Sequence, residues 1–150
     1  MRIWSRNQRD LADRFPDIAR AAADRLPEGA VIDGALVILI DGRLSFDALQ
    51  CRLVTVPTKA RQLAAAVPAS YVAFDLLALG GVDLRTQRWS NRRRRLESIA
   101  AWTPPMQLSM VTDDPAEAAE WFEAMPAMGA EGLVAKGKAP PGTSPAAAAG

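Results

Sequence analysis

The 150-residue chain contains no histidine and a single cysteine, Cys51. One cysteine cannot close an internal disulfide. Without histidine or clustered cysteines, the usual zinc spacings are excluded. Lysine is almost as scarce: Lys59, Lys136 and Lys138 are the whole set, and the other cationic side chains are arginine. Long apolar runs are missing as well. None approaches the ~18 residues that a membrane-spanning helix needs, and the polar, charged N-terminal stretch has no apolar core of a secretory signal. The expectation is therefore a cytoplasmic protein with no membrane partner. A net charge of +1 creates no general field for polyanions, so any nucleic-acid contact needs a local basic surface.

What is present suits one globular domain. Hydrophobic residues make up 49% of the chain, enough at this length to bury a real core. Arg2 to Ser5 is a short edge-strand candidate, and Asn7-Gln8 reads as a turn. Asp10 can cap a helical turn. Pro16 suits a first helical position, and Ile18, Ala22 and Leu26 then share one helix face, stopped by Pro27 and Gly29. VIDGALVILI (residues 31–40) reads as one buried strand, followed by the hairpin signal Asp41-Gly42 and the return RLSF. A short helix is expected over Phe46 to Leu53, and another capped by Thr58 and running to Ala66. SYVAFDLL (70–77) reads as a strand covered on both faces, ending at the turn Gly80-Gly81. A helix capped by Ser90 and reaching Ala101, a strand over Met106 to Met110, and a helix opening at Asp113-Asp114-Pro115 follow. That last helix is expected to bury Ala118, Trp121, Phe122 and Met125 and to end by Gly129. A strand over Gly132 to Lys136 completes the set, and residues 139–150 form a low-complexity tail expected to be disordered. Strands and helices mix without a strict alternating repeat, which points to an α+β fold with mainly antiparallel sheet.

Single segments carry little. Alone, Arg6 in SRNQRD reads first as a surface charge and Phe74 in YVAFDLL first as a core aromatic, and Glu131 in AEGLVAK can be a solvated loop acid. Arg92 to Arg95 read first as a solvated helix and second as a stripe for DNA. A run of four surrounds the helix, so at least one member has to lie along its apolar face.

In order and together, the segments say more. SRNQRD, RFP, VIDGxLV, YVAFDLL and EGLVAK resemble the adenylation domain of ATP-dependent DNA ligases, most of all the bacterial DNA ligase D-like type. The resemblance covers residues 2 to about 138. It implies an antiparallel-sheet nucleotidyltransferase (ATP-grasp-like) fold over residues 1–138. It also implies ATP and Mg²⁺ as cofactors and nicked or broken double-stranded DNA as partner, with other end-joining repair proteins nearby. Arg6 matches the family's arginine near the nucleotide, and Phe74 the aromatic that stacks on adenine. Glu131 matches the acid at the metal or ribose–phosphate region, and Lys136 a lysine that reaches the α-phosphate. Gln8, where many bacterial members carry glycine, is a small departure.

Other departures go deeper. The family attacks ATP with the lysine of a K-x-D-G motif, and none of the three lysines here precedes x-Asp-Gly. Ala35 stands where the family places an acidic residue near the metal, and a methyl group offers Mg²⁺ no lone pair. The family's last motif, a tryptophan or similar residue followed by K-x-K about twenty residues after EGLVAK, is not in these residues, which hold no lysine after Lys138, and neither is the oligonucleotide-binding domain that usually follows. The expectation is a domain incomplete at both ends, with no catalytic lysine of its own, open sheet edges, and no activity alone. The alternative is a degenerate module that still binds nucleotide or DNA.

Overall fold

Pro16, Pro57 and Pro115 each open a helix, where the missing backbone donor costs nothing. The computed structural model describes residues 1–124 and Lys136. Among them the order is α1 (Pro16–Arg25), β1 (Val31–Val37), β2 (Leu39–Ile40), β3 (Arg43–Leu44), α2 (Phe46–Val54), α3 (Pro57–Ala66), β4 (Ser70–Leu79), β5 (Val82–Asp83), α4 (Trp89–Ser98), β6 (Met106–Leu108) and α5 (Pro115–Ala124). This is the α+β mixture that the sequence pattern predicts. The expected end of the last helix near Met125 and Gly129, the strand at 132–136 and the tail lie outside the described residues, Lys136 itself excepted.

β4 is the spine of the larger sheet. β1 runs antiparallel along one edge, from Val37 opposite Ser70 to Val31 opposite Ala78. The other edge takes β5 antiparallel at Ala78 and Leu79, and β6 parallel at Tyr71 to Ala73. The sheet is thus mainly antiparallel, with β6 as the exception. Gly80 and Gly81 turn β4 into β5 with φ of 58° and 82°, the left-handed backbone a two-residue hairpin requires. Between Asp33 and Gly34 the partner on β4 steps from Asp75 to Ala73, leaving Phe74 as an extra residue. Such a bulge reorients the side chains beyond it. It allows Ala73 and Leu76 to enter one core cluster with Leu84 and Leu96, although residues three apart in a regular strand face opposite ways.

A second cluster, Leu11, Phe15, Ile18, Ile38 and Ala69, lies under α1, and a third joins Ala21 and Ala22 to Met106. Tyr71 packs against all three clusters, and its hydroxyl donates to the Ile32 carbonyl at 3.1 Å. Burial, reinforced by the charge of Asp33, pushes its pKa well up, so it remains a neutral donor. Arg52 on α2 is also buried. It donates to the carbonyls of Arg14 and Val67 and to Asp17, and lies over the Phe15 ring.

Several expectations need correction. VIDGALVILI is not one buried strand. β1 is half-exposed, with Val31 51% accessible. The chain breaks at the buried Ile38, and Leu39 and Ile40 belong to a separate hairpin with β3. The inward pull of one apolar side chain ends the strand where the pattern continues. Residues 2–5 make only a single bridge, Trp4 with Asp10, because Asp10 turns the chain by accepting from Ala12 and Ile3. Thr58 does not cap α3, which starts at Pro57 after Val56. Ser90 lies inside α4, whose cap is Arg88 and which ends at Ser98 rather than Ala101. β6 stops at Leu108, short of Met110. Ser45 caps α2 by accepting from Ala48. On α5, Ala118 and Trp121 are half-buried, but Phe122 is 57% exposed. Helical periodicity marks a face without saying what covers it.

Candidate functional site

A carboxylate in an apolar strand has to find cations or lose its charge. Asp75 sits in the middle of β4 at 5% exposure. Arg92 of α4 grips it with two parallel bonds, Nε to Oδ1 at 2.9 Å and Nη2 to Oδ2 at 2.8 Å. The third donor of Arg92, Nη1, goes to the Gln87 carbonyl at 2.6 Å. Lys136 approaches the same Oδ2 at 3.4 Å. Burial pushes the Asp75 carboxyl up, but the bonds from Arg92 and the charges of Lys136 and Arg92 outweigh it, so the group titrates below the usual carboxylate range. The pairing in turn raises Arg92.

The sign of the pH dependence follows. A depressed folded-state value stabilises the fold above the unfolded value, and that contribution is lost as pH falls through the folded value. Asp75→Asn is therefore expected to destabilise the protein at neutral pH. The gap between wild type and variant should close as pH drops below the ordinary value of 3.8. Denaturant melts across that range check it; a gap that does not change with pH would contradict a charged Asp75 held by its partners.

The neighbouring arginines are not simply solvated. Arg93 is buried, donates to Glu97 and to the hydroxyl and carbonyl of Ser109, and so ties α4 to the chain after β6. Arg94 and Arg95 are exposed. The solvated-helix reading holds for half of the run, because the helix turns the other half toward β4 and β6.

The residues singled out by sequence fall in different places. Phe74 is the half-buried bulge residue beside Asp75. Lys136 meets Asp75, the residue next to Phe74 in the chain. Arg6 is exposed and lines a cavity of about 960 Å³ together with Arg2, Ile18, Asp33, Tyr71 and Met106; Phe74 and Lys136 do not line it. Glu131 lies outside the described residues. Asp33 stands opposite Asp75 and Ala35 opposite Val72, so both β1 positions share a face. Among the described residues no group of three His, Cys, Asp or Glu can hold a metal ion. Among the described residues Ala35 offers no donor and Asp75 is engaged by two cations.

Asp75 and Arg92 escaped the motif reading. The available signal was a charged residue inside an apolar strand, which demands a partner, and an arginine run that had to place some members inward.

Comparison with known proteins places this geometry in context. The family model described as ATP dependent DNA ligase domain matches residues 1–142. DNA ligase C2 of Mycolicibacterium smegmatis is 38% identical over 135 residues, covering 89% of this chain and 38% of that protein. DNA ligase C of Mycobacterium tuberculosis is 37% identical over 139 residues, covering 89% and 39% respectively. The crystal structure of the ligase domain from M. tuberculosis LigD superposes with a TM-score of 0.56 at 25% identity, covering 85% of this chain and 38% of that one. The chain thus spans well under half the length of each.

Proposed function

The chain belongs to the ATP-dependent DNA ligase family, and on that premise we propose that it is a nucleotide-binding part of a ligase adenylation domain, unable to form lysyl-AMP by itself. Phe74 offers its ring to adenine and Lys136 its ammonium to the α-phosphate, with Glu131 at the ribose–phosphate or metal position; Arg6, which lines a cavity apart from Phe74 and Lys136, is assigned to the nucleotide by its match to the family motif alone. The observation that carries this reading is the meeting of Lys136 with Asp75, directly after Phe74 in β4. It puts a partly exposed cation on the residue that follows the family's aromatic in the chain, and in the proposed reading adenine and phosphate are met by these two positions.

In the family's chemistry a lysine attacks ATP, AMP passes to a DNA 5′-phosphate, and the 3′-hydroxyl displaces it. These 150 residues hold no K-x-D-G lysine, so the first bond has no nucleophile here. Lys136 does not replace it. Lys136 is followed by Gly137-Lys138 rather than x-Asp-Gly, and its side chain is turned to the Asp75 carboxylate. Nicked or broken duplex DNA is the proposed macromolecular substrate of the complete enzyme, with other end-joining repair proteins as neighbours and the cytoplasm as location. Among the described residues no helix is long and apolar enough to cross a membrane.

A second reading, a degenerate module that holds nucleotide or DNA without chemistry, is favoured by Ala35, whose methyl group offers Mg²⁺ no lone pair. Mass spectrometry of the purified chain with ATP and Mg²⁺ separates the outcomes. Bound nucleotide that leaves on denaturation is expected. AMP retained after denaturation would overturn the claim of inactivity, and no bound nucleotide at all would overturn the binding role. Phe74→Ala is expected to weaken ATP binding by about 1–3 kcal/mol, the worth of one base–aromatic stack. Titration calorimetry reads that loss, and equal affinity would remove the stacking role.

A further inference from the structure

Two cations meet one carboxylate at Asp75, and they are held unequally. Arg92 is fixed on every side that the geometry shows: a fork on both carboxylate oxygens and a third bond to the Gln87 carbonyl. Its side chain is 12% exposed. Among the described residues, Lys136 has one contact, the long 3.4 Å approach to Oδ2, an oxygen already taken by Arg92 at 2.8 Å, and a third of its side chain is open to solvent. A carboxylate already neutralised by a bidentate arginine attracts a second cation weakly. The group of three carries one surplus positive charge, and only Lys136 is free to turn it outward.

We infer that Asp75 is a positioning residue for Lys136, and that Arg92 sets how tightly Asp75 holds it. Asp75 keeps the ammonium at a defined point on β4, while the grip of Arg92 keeps that hold loose enough for Lys136 to move onto a polyanionic ligand. The functional meaning rests on the nucleotide role proposed above; the mechanical coupling does not. Removing Arg92 gives Lys136 an uncompensated carboxylate and traps it. Removing the Asp75 charge releases it.

With three lysines in the chain, the test can be read residue by residue. The folded protein is treated briefly with a small acylating reagent. Modification of Lys136 is measured by peptide mass spectrometry against Lys59, an exposed residue of α3. Asp75→Asn is expected to raise the Lys136-to-Lys59 ratio about two- to fivefold, and Arg92→Gln to lower it by a similar factor, the range that a partly exposed ion pair is worth. Arg92→Lys, which keeps the charge but loses the fork, should fall between wild type and Arg92→Gln. Asp75→Glu should return the ratio toward wild type. Ratios that do not move, or that move the same way in Asp75→Asn and Arg92→Gln, overturn the inference. Circular dichroism melts identify any variant that does not fold, and the remaining variants then decide. A parallel labelling with ATP separates the two claims. If Lys136 responds to Asp75 and Arg92 but ATP gives it no protection, the nucleotide reading fails and the positioning stands.

Discussion

Arg52→Met is expected to destabilise the protein by about 3–5 kcal/mol, the cost of leaving a buried ionic partner uncompensated. That corresponds to a fall in the thermal midpoint of roughly 10 °C or more. Arg52 is 1% exposed, and the Asp17 side chain it pairs with is 15% exposed, so water replaces little of what is lost. Its guanidinium bonds the Arg14 carbonyl at 2.9 Å, the Val67 carbonyl at 3.2 Å and Asp17 Oδ1 at 2.6 Å, and it lies 4.9 Å from the centre of the Phe15 ring. Those contacts join α2 to the start of α1 and to the chain entering β4. Asp17 Oδ2 meanwhile accepts from the Ala69 amide, so the orphaned carboxylate cannot swing out to water without breaking a second tie. Methionine fills much of the volume and supplies none of the donors. Adding Asp17→Asn, which removes the stranded charge and can keep the bond to Ala69, should recover part of the loss. Thermal and denaturant melts of the single and double variants measure it. A single variant within about 1 kcal/mol of wild type would show that the buried hub is not what joins these helices.

Gly34→Ala should be comparably damaging, and at a position with an ordinary backbone. A Cβ built on Gly34 would lie 2.5 Å from Tyr71 Cζ, 2.6 Å from its hydroxyl and closer still to the Val72 carbonyl oxygen. Two of these contacts are to a ring packed against three core clusters, and the third is to the backbone of the paired strand. No rotamer change relieves that set, so β1 has to move away from β4. A loss of about 3 kcal/mol or more is expected, in the range of severe overpacking. Adding Tyr71→Ala makes room for the methyl but leaves the Val72 carbonyl in place and opens a cavity, so it should not rescue the variant. Recovery by that second substitution would mean the ring alone sets the demand for glycine. The glycine in VIDGAL is therefore a packing requirement of β1 against β4.

Much of the architecture was legible in the residues. The prolines at 16, 57 and 115 marked helix starts, Gly80-Gly81 and Asp41-Gly42 marked the hairpins, and the apolar run of SYVAFDLL marked the central strand. These signals are local: a ring that fixes φ, a residue that tolerates left-handed backbone, a stretch that water disfavours. The errors lie where the deciding contact is distant. Ile38 leaves the strand pattern because the cluster under α1 takes it. α5 shows Phe122 to solvent because the described residues place no neighbour over it. Two of the four arginines after Asn91 turn inward because Asp75 and Ser109 wait there.

The same division holds at the candidate site. By itself the sequence determined the order of family motifs, the absence of a K-x-D-G lysine among these residues, and the methyl group of Ala35 in place of an acid. Each is a matter of which residue stands where. Only the tertiary structure decided that Phe74 is a bulge, that Arg6 faces a different cavity, and that Lys136 shares Asp75 with Arg92, a residue 17 positions further along the chain from Asp75. The physical reason is that a motif fixes the type of a side chain, whereas its hold on a partner depends on burial, on competing donors and on distances set by elements far apart in sequence.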